Sequence, residues 1–195
     1  MKLEFQAKFL QHLNKKKQQA EGFTLIELLV VIIIIGILAA IALPSLLSQV
    51  NKGKQAEGKQ NIGSLNRAQQ AFFLENDSFA TTIPEVGIGI KTQSVNYNYT
   101  ISKSQALPAP NDDKYGAVNN AGLALGATLK SYVGQNFTQE GDTSTSEVLT
   151  LGFVCETIST GTTGSTAASG AEVAAGASQS CPGEFKDLSG TKRGS

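Results

Sequence analysis

The stretch GFTLIELLVVIIIIGILAAIAL, residues 22–43, decides how this chain is read. From Phe23 to Leu43 only Thr24 and Glu27 break a run of apolar side chains and Gly36. A helix of about 20 such residues crosses a hydrocarbon core of about 30 Å, at about 1.5 Å per residue. A basic segment precedes it. Residues 1–22 carry Lys2, Lys8, Lys15, Lys16 and Lys17 against Glu4 and Glu21, a net +3, and the remainder of the chain is net −3. A basic leader followed at once by an apolar run is a targeting pattern. The triple lysine predicts a cytoplasmic N-terminus by the positive-inside rule, although Lys52, Lys54 and Lys59 beyond the run weaken the asymmetry.

Three readings of this segment compete. In the first it is a secretory signal cut after Ala42, since Ala40-Ile41-Ala42 has the small-x-small form of a signal-peptidase site. That reading releases a soluble domain, but the apolar stretch is longer than a usual signal core and contains Glu27. In the second it is a plain single-pass anchor of a binding protein. Glu27 then has no purpose and costs roughly 2.5–3.5 kcal/mol at the centre of a membrane, less near the interface. In the third, Glu27 meets a partner inside an assembly, the default expectation for an intramembrane ionisable residue.

The neighbours of Glu27 favour the third. Gly22-Phe23-Thr24-Leu25-Ile26-Glu27-Leu28-Leu29-Val30 resembles the class III signal of type IV prepilins and of the pseudopilins of type II secretion systems. Gly36, Ala39-Ala40-Ile41-Ala42 and Pro44 match the same family. Asn66-Arg67-Ala68-Gln69-Gln70-Ala71-Phe72-Phe73, then Phe79-Ala80, is similar to the helix end of cyanobacterial-type major pilins. Leu129 to Gly134 and Val154-Cys155-Glu156 resemble that group more loosely.

The resemblance implies cleavage between Gly22 and Phe23 by prepilin peptidase, a membrane aspartyl enzyme, and N-methylation of Phe23. A glycine before the scissile bond lets an extended backbone enter a tight active site without a Cβ clash. The leader lysines would hold the precursor at an anionic lipid surface. The new amine of Phe23 stands four positions before Glu27, on one helix face. In a bundle of identical helices the amine of one copy can meet the carboxylate of its neighbour and fix the axial register. An inner-membrane assembly platform and cytoplasmic ATPases are the other implied partners. Phe23, Glu27 and Pro44 are the expected assembly residues.

Beyond the apolar run, Pro44 removes a helical hydrogen bond and crowds the preceding turn. Gly53 and Gly58 each weaken a helix by about 1 kcal/mol relative to Ala. Residues 44–58 therefore read as a joint, which the family resemblance implies can extend in a fibre. Ile62, Leu65, Ala68, Phe72 and Phe73 recur near helical spacing and predict a core-facing stripe, with Arg67, Gln69 and Gln70 on other faces. Asn76-Asp77-Ser78 ends the helix, which runs from about Phe23 to Glu75. Val95, Tyr97, Tyr99 and Ile101 alternate with polar residues as in a half-buried strand. Residues 129–133 and 147–155 read as further strands. Residues 108–113 and 139–146 read as loops. The expected fold is α+β: a long helix packed on an antiparallel sheet of three to five strands, the type IV pilin fold. Its parts are a leader (1–22), a transmembrane and assembly helix (23–43), a helix continuation with the joint (44–77) and a globular domain (78–195).

The remaining inventory excludes most chemistry. The single histidine, His12, falls in the leader, and there are two cysteines, Cys155 and Cys181, in 195 residues. That leaves little room for a histidine hydrolase or a four-ligand zinc site. Gly87-Ile88-Gly89 is too short for a dinucleotide fingerprint, and residues 161–166 lack the lysine of a P-loop. No cofactor, no metal and no catalytic residue are expected. Asp112-Asp113 reads as a solvated pair. Asn98-Tyr99-Thr100 and Asn136-Phe137-Thr138 match a glycosylation pattern weakly, and residues 157–169 have a composition that could carry O-linked sugars. A net charge of zero argues against a generic nucleic-acid binder, and Lys186, Lys192 and Arg193 are too few to predict DNA binding. Cys155 and Cys181 enclose a Gly/Ser/Thr/Ala segment with little apolar surface to bury. Either they form a disulfide, the simplest reading outside the cytoplasm, or they are two buried thiols. The C-terminal disulfide loop of the resembled family implies the bridge. The expected function is a structural subunit of a type IV pilus, a homo-oligomeric helical fibre outside the cell. A pseudopilin is the alternative, and motility, adhesion and DNA uptake are not separated by the sequence.

Overall fold

The computed structural model describes residues 22–104, 116–140, 148–161, 181 and 185–188. The leader up to residue 21, the loop at 108–113, most of 139–146 and the stretch 162–180 lie outside the described residues. A single helix, α1 (Leu25–Asn76), is followed by a short turn of helix, α2 (Ile83–Val86). Five strands come next: β1 (Tyr97–Ser104), β2 (Ala117–Ala124), β3 (Lys130–Glu140), β4 (Val148–Thr160) and β5 (Phe185–Asp187). They form one sheet in the order β1-β2-β3-β4-β5. Every pairing is antiparallel and joins strands that are consecutive in the chain. This is the expected α+β arrangement. Two compact units divide the chain, residues 1–48 and 49–195.

In the second unit the C-terminal part of α1 lies on the sheet. Gly58, Ile62, Leu65, Asn66, Gln69 and Phe73 are its buried residues. Ile62 and Leu65 pack with Tyr97, Tyr99, Tyr132, Leu129, Ala124 and Ile83, and Phe73 with Phe79 and Val118. Ala68 and Phe72, expected on the stripe, are only half-buried, whereas Gln69, expected elsewhere, is fully buried. The reason is a two-way amide clamp. Gln69 Nε2 donates to the Ala80 carbonyl and the Ala80 N–H donates to Gln69 Oε1, both at 3.0 Å. The clamp satisfies buried backbone groups where the chain turns off the helix. Asp77 makes that turn in the left-handed region (φ 53°), its N–H donating to the Phe73 carbonyl at 2.8 Å.

Gly58 has a second role that helix propensity alone does not suggest. A Cβ there would stand 2.7 Å from the Tyr97 ring and 2.9 Å from that of Tyr132. The helix and the sheet also meet closely at Gly134, where a Cβ would lie 2.2 Å from Asn66 Oδ1. That carbonyl accepts from Asn120 Nδ2 (2.8 Å), Asn66 Nδ2 donates to the Phe153 carbonyl (2.9 Å), and Asn136 Nδ2 donates to the Asn66 carbonyl (3.1 Å). A polar seam thus ties α1 to β2, β3 and β4 beside the aromatic and aliphatic core.

The sheet has five strands, within the expected three to five, and several strands run longer than expected. Tyr97 and Tyr99 point into the core as predicted, but Val95 precedes β1 and is 93% exposed. β2 and β5 had no signal in the sequence. β4 continues past Cys155 to Thr160, so residues 156–160, expected in the low-complexity loop, belong to the sheet. Thr157 is buried there, and Asn136 of the glycosylation pattern is fully buried and hydrogen-bonded, so neither is an accessible acceptor in the fold.

Candidate functional site

The N-terminal half of α1 presents the site. Every large apolar residue from Phe23 through Val50 is exposed, and Phe23 is 86% so. Water alone does not cover a surface of this kind in a soluble protein. Leu25 to Val50 rises about 39 Å as a helix, long enough to cross a membrane with some tilt. Pro44 sits inside it, and the helix is continuous through that residue.

The helix start is built by Thr24 and Glu27. The Thr24 N–H and hydroxyl donate to Glu27 Oε2 at 2.8 and 2.7 Å, and the Glu27 N–H donates back to Thr24 Oγ1 at 3.3 Å. This reciprocal pair satisfies two of the orphan donors at a helix N-terminus and places a carboxylate at the positive end of the helix dipole. Gly22 and Phe23 lie immediately before it, outside the helix. The structure therefore brings Phe23, Thr24 and Glu27 to one end of the exposed apolar helix. Thr24 had a signal that sequence reasoning left unused, because Thr-x-x-Glu ahead of an apolar run is the capping-box pattern.

Cys155 and Cys181 are joined by a disulfide with a Cα–Cα distance of 5.8 Å. Cys155 is buried on the sheet beside Phe153, with Phe137, Phe185 and Cys181 against it. The bridge closes 26 residues of sequence separation, worth about 3 kcal/mol in the chain-entropy account. It replaces the alternative of two free thiols. Lys130 Nζ and Glu156 form an ion pair across β3 and β4.

Two of the three core tyrosines are also tied down by hydrogen bonds. The Tyr97 hydroxyl donates to the Lys130 carbonyl at 3.0 Å, and Asn61 Nδ2 donates to the Tyr99 hydroxyl at 2.9 Å. Burial pushes all three phenols above their ordinary range, Tyr132 up to about 12. Among the described residues no group of three or more His, Cys, Asp and Glu side chains could hold a metal ion.

Comparison with known proteins agrees with this geometry. Residues 55–182 match the family model described as type IV pilin-like G and H. The chain belongs to the type IV pilin-like family. This is a family of structural pilins, not of enzymes. Residues 17–43 of this type IV pilin-like chain match the prokaryotic N-terminal methylation motif, which brackets Gly22, Phe23 and Glu27. It is 43% identical over 81 residues to the type IV major pilin protein PilA of Myxococcus xanthus, covering 42% of this chain and 36% of that pilin. It is 37% identical to the type II secretion system core protein G of Aeromonas hydrophila, over 34% of this chain and 47% of that protein. The fimbrial protein EcpC of Eikenella corrodens is 30% identical over 66% of this chain and 82% of its own length. The matches to the first two relatives thus span less than half of each. No solved structure matches the pilin-like chain significantly.

Proposed function

We propose that the protein is the subunit of a type IV pilus. It is made as a membrane-anchored precursor with its N-terminus in the cytoplasm, cut between Gly22 and Phe23 by prepilin peptidase, methylated on the Phe23 amine, and polymerised through α1 into a surface fibre. It performs no catalysis of its own. The observation that carries this reading is the exposed apolar helix that starts at a Gly-Phe junction and bears one carboxylate, Glu27, at its tip. Before assembly the membrane covers the helix, and afterwards the helices of other copies do. An assembly platform in the inner membrane moves the subunit from one environment to the other.

The capping box gives Glu27 a place in both states. Its two bonds from Thr24 fall on Oε2. We assign Oε1 to the amine of a neighbouring Phe23, a pair that fixes the stagger of adjacent helices. While no neighbour is present, the Thr24 donors lower the cost of holding a carboxylate at the membrane boundary. Pro44 and the exposed Gly53 make residues 44–58 the segment that extends when helices pack.

Two substitutions test the reading in cells that make the fibre. Gly22→Val blocks cleavage and leaves the full-length precursor in the membrane. Glu27→Ala is cleaved but drops out of the sheared surface fraction. Normal processing of the first, or normal incorporation of the second, contradicts the assignment. A second reading, a type II secretion pseudopilin, has the support of the core protein G relatives. Imaging separates the two: long surface fibres at native expression support the pilus, and their absence with a secretion defect on deletion supports the pseudopilus.

A further inference from the structure

Two clefts flank the exposed ridge of α1 in the unit that begins at Gln49, and they differ in charge. One, of about 510 Å³, opens between α1 and β4 and is lined by Lys59, Arg67, Asn66 and Gln70 above Phe153 and Val154. No carboxylate is among the described residues that line it. The other, of about 630 Å³, lies between α1 and α2 and is bordered by Glu75 and Glu85 beside Ala71, Phe72 and Ile88. Arg67 stands on the ridge and borders both. Lys59, Arg67, Glu75 and Glu85 are exposed, and among the described residues none of them forms an ion pair within the chain. Glu85 is held by the Thr81 and Thr82 N–H groups at 2.8 and 3.1 Å, bonds that keep its carboxyl below the usual range and therefore charged.

We propose that the basic α1–β4 cleft of one copy receives the acidic α1–α2 edge of a second copy, with Lys59 and Arg67 facing Glu75 and Glu85. This rests on the reading that the chain polymerises, and adds to the helix bundle a lateral contact between folded units. A basic face on one side of a molecule and an acidic face on the other make a heterologous, head-to-tail interface, which closes into a ring or continues as a helical fibre. Charge complementarity of this kind fixes orientation and register and disfavours wrong partners.

Charge reversal in the full chain tests the contact, with fibre yield read from sheared fractions and imaging and subunit level from whole-cell immunoblots. Lys59 and Glu75 are 16 positions apart on α1, about 24 Å along its axis, so they cannot compensate within one chain. Lys59→Glu and Glu75→Lys should each lower fibre yield by about five-fold or more at unchanged subunit level, and the double variant should recover most of it. Should a reversal lower the subunit level itself, a chain carrying both Lys59→Cys and Glu75→Cys decides: ladders of crosslinked copies in sheared fibres are expected. Undiminished fibre yield in both single reversals, a double variant no better than the singles, or monomers alone after oxidation overturn the pairing while leaving polymerisation intact. Absence of any wild-type fibre overturns both.

Discussion

Gly53 and Gly58 lie five positions apart on one helix and do opposite things. A Cβ at Gly53 would meet nothing within 4 Å, so that residue only loosens the helix. A Cβ at Gly58 would strike two tyrosine rings, so that residue lets the helix sit down on the sheet. The contrast extends to the halves they belong to. Residues 25–50 are mostly apolar and exposed, and no described residue of the chain buries them. From Gly58 on, the stripe Ile62, Leu65, Gln69, Phe73 is buried by the chain's own sheet. One helix thus serves two covers, and its polar details, Glu27 in the first half and Asn66 with Gln69 in the second, are what distinguish them.

The largest expected effect that would break this contrast is at the Gln69 clamp. Gln69→Leu strands the buried N–H and carbonyl of Ala80 and should cost about 2–4 kcal/mol. Thermal unfolding of the detergent-solubilised full chain reads this as a lower Tm, and an unchanged Tm would mean that the turn off the helix does not depend on the clamp. Gly58→Ala comes next. The added methyl overpacks against Tyr97 and Tyr132, a cost of about 1–3 kcal/mol against a helix-propensity gain of about 1, so the net shift should still be downward.

Alkali should act on the second half alone. The phenols of Tyr97, Tyr99 and Tyr132 are raised, so the unfolded chain releases its protons first and stability falls as pH climbs above about 10 toward the raised values. Phenolate absorbance near 295 nm should therefore appear together with unfolding, and free titration of every tyrosine near pH 10 in a folded chain would contradict their burial. The smallest effect is at Gly53. Gly53→Ala should stabilise the isolated helix by up to about 1 kcal/mol and leave the Tm of the folded unit unchanged. If it lowers that Tm instead, the two glycines do not differ in kind.

Much of this was legible from side-chain pattern. The apolar run, the Gly-Phe junction and the Tyr97/Tyr99 alternation each carry one dominant period or motif. β2, AVNNAGLA, carries neither helical nor strand alternation, because it is buried on both faces and spends Asn120 on the Asn66 seam and Gly122 on a close approach to Ile62. β5 is three residues long, too short for any periodicity. Gln69 looks like a surface residue until Ala80, eleven positions on, turns back to meet it. Val95 continued the alternation of β1 on paper. Pairing starts only at Tyr97 against Ala124, because the turn held by the Ser94 N–H on the Tyr97 carbonyl comes first. Long-range polar contacts leave no local periodicity, and this is why the apolar run was easier to read than the core of the second unit.

The most direct measurement is N-terminal mass spectrometry of the protein in sheared cell-surface material. N-methylated Phe23 as the first residue is the predicted result, with Glu27 retained at the fifth mature position. A chain starting at Leu43, or an intact Met1 found only in membranes, would contradict the account: the first discards the assembly helix, and the second leaves it a simple anchor.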